Sequence, residues 1–103
     1  MTVQEYMFVS GIAMNLTGYE YLKDAIEISI EDSARPIMMI YEDVAKKHNA
    51  NAYTVERNCR TAIKKGYPKM DADIKKKLFR STEKVATGEY VKGIAYAIRN
   101  NLI

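Results

Sequence analysis

Apolar residues recur three and four positions apart along most of this chain, and strict alternation of apolar with polar residues never persists, so the pattern predicts helices and no strands. The spacing predicts a first helix from Val3 to Leu16 that turns Met7, Phe8, Gly11 and Ile12 toward a partner. Thr17 and Gly18 break it. A second helix then runs from Tyr19 to about Ser33 with Tyr21, Leu22, Ala25, Ile26 and Ile30 on one side. Pro36 opens a short third segment at a first-turn position, where its missing N–H costs nothing, and leads into a helix from Tyr41 to His48.

The next helix has the clearest two-sided character. From Ala52 to Lys65, at about 100° per residue, Val55, Cys59, Ala62 and Ile63 form one inward stripe, and Thr54, Arg57, Asn58, Thr61, Lys64 and Lys65 fall on the other side. Gly66 and Pro68 end it. Asp71 caps a short basic helix through Phe79, Arg80 to Ala86 reads as an irregular loop, and Thr87 caps a last helix. Val91, Ile94, Ala95, Ile98 and Leu102 supply that helix with a buried stripe. The expected fold class is all-α: a compact bundle of about six helices containing a helix-turn-helix near residues 41–65, in one domain spanning 1–103.

Within 41–65 the turn has its packing residues. Val44 and Ala45 offer small side chains where one motif helix must let the other approach. Asn49 tolerates the positive φ that a tight turn requires, and Ala50 and Val55 pin the turn and second helix to the core.

Charge sharpens this picture. The net charge of +3 conceals a sorting, because residues 1–45 hold eight acids against Lys23 and Arg35, net −6, while residues 46–103 hold fourteen Lys and Arg against five acids, net +9. A basic half that begins at the turn is the footprint of a polyanion-facing surface. The triplet Lys75, Lys76 and Lys77 is expected only to solvate a helix face. No apolar run approaches the ~18 residues of a membrane span, and Met7-Phe8-Val9 lacks the basic leader of a secretory signal. One cysteine, Cys59, excludes an internal disulfide, fits a reducing cytoplasmic setting and is expected in the core.

Chemistry other than binding finds little support. There is no nucleophile with a base, no paired acid motif and no glycine-rich phosphate loop, so no catalytic residue is assigned and the chain is not expected to be an enzyme. His48, the only histidine, has no second ligand at metal spacing and is expected to cap carbonyls or pack beside the turn; no metal or cofactor is expected. Tyr19, Tyr21, Tyr41, Tyr90 and Tyr96 lie in amphipathic stretches and are expected in core or half-buried positions.

The segments GYEYLKDAI at Gly18 to Ile26, YEDVAKKHN at Tyr41 to Asn49 and VERNCRTAI at Val55 to Ile63 together resemble the C-terminal DNA-binding domain of the sporulation master response regulator family, stage-zero sporulation protein A. The likeness extends through IKKKLF and EYVKGIAYAIR, with the blocks in order, and covers nearly the whole chain. It implies a six-helix bacterial transcription regulator in which Glu56 and Arg57 match a base-reading Glu-Arg pair and Arg60 matches a family arginine. A carboxylate can accept from cytosine N4 and a guanidinium can donate to guanine or phosphate. Glu56 and Arg60 can instead form a structural i, i+4 ion pair. Thr54 and Thr61 depart from the family's arginine and histidine, which shifts the expected sequence preference. The receiver domain that family members carry is absent from these residues, as in an excised fragment or a stand-alone relative.

The expected partner is double-stranded DNA, with a homodimer on the duplex as an option and neither membrane nor small-molecule substrate. Glu56, Arg57 and Asn58 are expected to read bases. Lys46, Lys47, Asn51, Tyr53, Thr54, Arg60, Thr61, Lys64 and Lys65 are expected at phosphates or the groove edge. The rival reading is a protein-interaction module on the same scaffold with weak or no DNA binding.

Overall fold

The computed structural model describes residues 1–79 and 83–102, and among them there are six α-helices and no strand. They are α1 (Val3–Val9), α2 (Thr17–Glu31), α3 (Ile37–Lys47), α4 (Ala52–Gly66), α5 (Ala72–Leu78) and α6 (Thr87–Arg99), with a 3-10 turn at Tyr67–Lys69. The molecule measures 36 × 26 × 21 Å. The central helix is α2, packed against α6, α4 and α3. Its Leu22, Ala25 and Ile26 are wholly buried with Ile40 and Val44 of α3, Val55 and Cys59 of α4, and Val91, Ile94 and Ala95 of α6.

Several boundaries differ from the sequence reading. The first helix stops at Val9 rather than Leu16, because Gly11 takes φ +74° and reverses the chain. A Cβ on Gly11 would stand 2.7 Å from Gly66 O, and one on Gly66 would stand 2.8 Å from Gly11 O, so the two glycines let the N-terminal turn touch the end of α4 backbone to backbone. Phe8 points outward at 78% exposed, while Met7 and Ile12 are buried as expected.

Thr17 and Gly18 open α2 instead of breaking a helix. Gly18 is there for clearance: a Cβ would lie 2.2 Å from the backbone O of Asn58 in α4. Pro36 is the N-cap of a continuous α3, so the short third segment and the Tyr41 helix are one element. Asp71 caps α5 as expected, its Oδ1 accepting from the N–H of Asp73 and Ile74. Thr87 is not a cap; it is the first, buried residue of α6, and Ala86 precedes it without a side-chain bond. Of the expected loop at Arg80 to Ala86, residues 80–82 lie outside the described residues, and 83–86 are irregular.

Other corrections concern side chains. Lys75 is buried at 6% exposed, with its Nζ 4.7 Å from the centroid of the Tyr67 ring, so the basic triplet does not simply solvate a face; Lys76 and Lys77 are exposed. Tyr96 is 55% exposed and is no core residue, unlike Tyr19, Tyr21, Tyr41 and Tyr90. Ties from α6 hold the last turn of α2 and the segment after it. Arg99 Nη1 donates to Ser29 O at 2.8 Å, and Lys92 Nζ donates to Ser33 O at 3.3 Å and Arg35 O at 2.5 Å.

Cys59 sits wholly inside, and burial, aided by the charge of Glu56, pushes its thiol up to about 12. Since the thiolate is the reactive species, iodoacetamide at pH 8 is expected to leave the native protein unmodified and to alkylate it promptly once unfolded, as read by mass. Rapid labelling of the native protein would show that the α4 stripe is open to solvent.

Candidate nucleic-acid interface

The helix-turn-helix is built from α3, a turn at residues 48–51, and α4. At the turn, His48 N–H donates to Val44 O at 3.1 Å and Ala50 N–H reaches back to Ala45 O at 2.8 Å, while Asn49 takes φ +53°. This is the left-handed position expected of Asn49, flanked by carbonyl bonds that finish α3. Asn51 then caps α4: its Oδ1 accepts from Thr54 N–H at 2.8 Å. Ala45, 4% exposed, provides the expected close approach.

Val55, Cys59, Ala62 and Ile63 all lie inward, so the predicted stripe of α4 is the buried one. Tyr41 of α3 packs over it; burial, with the negative charges of Cys59 and Glu56 when ionised, raises its phenol above the ordinary value. The opposite side of α4 is an exposed ridge of Tyr53, Arg57, Thr61, Lys64 and Lys65. Along it, the Arg57 guanidinium carbon stands 5.8 Å from the centroid of the Tyr53 ring, one turn back.

The remaining candidates occupy the flanks. Glu56 is half-buried and its Oε1 lies 3.7 Å from Arg60 Nη1, the i, i+4 pair that the spacing allowed. Asn58 is half-buried and donates from Nδ2 to Thr54 O at 2.9 Å. Thr54 is half-buried beside it, and Asn51 is exposed. On α3, Lys46 is exposed, and Lys47 is 65% exposed with its Nζ 3.1 Å from Asp24 Oδ1. The fold thus brings every candidate to α4, its cap or the adjoining end of α3, with Arg57 at the centre of the ridge and Glu56 and Asn58 to either side.

Sequence reasoning missed Asp24. This carboxylate is 5% exposed on the packed side of α2 and joins Lys47 and His48 to it. The signal was present, since Asp24 falls between Tyr21, Ala25 and Ile28 on the apolar stripe of its helix. His48 packs beside the turn as expected, but its ring bonds a side chain rather than a carbonyl.

Two helices at a tight turn, the first ending in lysines and the second offering a cationic ridge over an apolar base, make this a helix-turn-helix protein. Residues 3–98 match the family model described as Sporulation initiation factor Spo0A C terminal, and the chain belongs to that family. The family is a DNA-binding effector domain of a sporulation response regulator, acting in transcription regulation. Among the described residues no helix is long and apolar enough to cross a membrane.

Proposed function

We propose that this chain is a single-domain, sequence-specific reader of double-stranded DNA, with α4 lying in the major groove. The observation that carries the reading is the ridge Tyr53–Arg57–Thr61–Lys64–Lys65, outward on a helix whose other side is locked into the core. A helix so held can enter a groove without unfolding anything. Arg57 donates to guanine, Glu56 accepts from cytosine once it leaves Arg60, and Asn58 bonds an adenine edge once it releases Thr54 O. Lys46, Lys47, Arg60, Lys64 and Lys65 neutralise phosphates, and Asn51, Tyr53, Thr54 and Thr61 support them at the groove edge.

Selection of bound sequences from a random duplex pool tests this directly. The expected result is enrichment of one short motif, whose titration also reports whether one or two copies bind. No enrichment, and no duplex binding even at low salt, would discard the DNA reading in favour of a protein-interaction module. On a selected duplex, Lys64→Ala is expected to weaken all sequences alike and to reduce the salt slope by about one counterion. A sequence-dependent loss in the same titration would move Lys64 from the phosphates to the bases.

A further inference from the structure

The C-terminal half of α4 borders a cleft of about 440 Å³ that lies outside the helix-turn-helix. Arg60 and Lys64 line it from α4, and Lys84 joins them from the segment that leads into α6. Glu83 lines it too, so one carboxylate stands among three cations. The rest of the lining is apolar, from Ile63 and Tyr67 at the end of α4, Pro68 after it, and Val85. Arg60 and Lys64 stand one helical turn apart, a like-charge spacing that costs a helix stability. Glu56 answers Arg60 at 3.7 Å from the turn before, outside the cleft. Bringing a third cation to this place makes physical sense where an anion is to be met.

Lys84 is brought there by packing. The rings of Tyr67, Phe79 and Tyr90 touch in series, with centroids 5.7 and 5.9 Å apart, and tie the end of α4 to the first turns of α6. Gly93 leaves room for them, since a Cβ there would stand 2.6 Å from the Phe79 ring. Val85 packs against the core and Thr87 is buried, which holds residues 83–86 beside the end of α4 while Lys84 itself stays exposed.

We propose that Lys84 is a further DNA contact, delivered from outside the helix-turn-helix to the phosphodiester backbone that Arg60 and Lys64 meet; this rests on the DNA reading above. A duplex strand carries one phosphate for about every 3.4 Å of axis, so a strand passing Arg60 and Lys64 brings further phosphates to the cleft. The deoxyribose between them is the less polar part of the backbone and faces the apolar lining around Pro68 and Val85. The contact carries no base information. It fixes how far α4 slides along the groove.

On the duplex recovered by selection, Lys84→Ala is expected to weaken binding about 2- to 5-fold, alike for all sequences, and to reduce the salt slope by about one counterion. Lys84→Arg is expected to restore the slope. The local readout is a scan of that duplex with single neutral methylphosphonates. One substitution is expected to weaken wild type and to have no effect on Lys84→Ala, because its partner is already gone. If wild type binds the duplex but Lys84→Ala keeps the full slope, or if every methylphosphonate weakens both proteins equally, the Lys84 contact is overturned and the α4 reading stands. If wild type binds no duplex even at low salt, the DNA reading itself fails, and this contact falls with it.

Discussion

Gly18→Ala is expected to destabilise the protein by about 3 kcal/mol, through overpacking that no side chain can relieve. The added Cβ would stand 2.2 Å from Asn58 O and 3.1 Å from the Ala62 Cβ. The first obstacle is backbone, so α2 and α4 must separate along their contact. Alanine's better helix propensity returns only about 1 kcal/mol, and the clash therefore wins. For a domain of this size the loss corresponds to a fall in Tm of about 12–24 °C, which thermal melting by circular dichroism measures. A melt unchanged or raised would mean that the two helices do not touch at Gly18. Because that contact also backs α4, the helix proposed to enter the groove, whatever fraction remains folded is expected to bind duplex more weakly than wild type.

Arg57→Ala is expected to cost about 1–3 kcal/mol in binding, roughly 5- to 150-fold, and to relax selectivity near one base pair. Arg57 is exposed on the ridge, its guanidinium 5.8 Å from the centroid of the Tyr53 ring, so its truncation should change stability by no more than about 0.5 kcal/mol. The loss therefore reports on recognition and not on folding. Arg57→Lys separates charge from geometry: it is expected to keep the salt dependence of wild type while losing discrimination. Unchanged affinity and preference for Arg57→Ala in a binding titration would remove this residue from the base-reading set.

Much of the fold was readable because α3, α4 and α6 each carry an apolar stripe at helical spacing, and period is a strong signal. Asn49 was readable for a local reason, as a short amide at a point where the chain had to turn. What escaped depended on approach between distant segments. Gly11 and Gly18 look alike as helix breakers, yet Gly11 ends a helix by taking φ +74° and Gly18 lies inside one because another helix leans on it. Lys75 was read as surface from its neighbours, whereas the Tyr67 ring covers it. Phe8 sits on a helix of two turns, too short to bury every side, and Tyr96 lies on the outward side of α6, which packs against α2 along its other face. Within the candidate interface, the ridge around Arg57 was visible in the sequence. The Glu56–Arg60 pair was visible as one of two alternatives, and the bond of Asn58 to its own helix was not visible, since i, i+4 side-chain bonding to a carbonyl leaves no mark in composition.

The Ser29 carbonyl in the last turn of α2 is answered by Arg99, and those of Ser33 and Arg35 in the segment that follows by Lys92, partners that lie 57 to 70 residues away in the chain. During synthesis the scaffold helix is thus held by α6, which leaves the ribosome after the other five described helices. A nascent chain halted before Lys92 holds a second helix with its end unfinished and much of its apolar side bare, which favours all-or-none folding late in translation over assembly from the first residue onward.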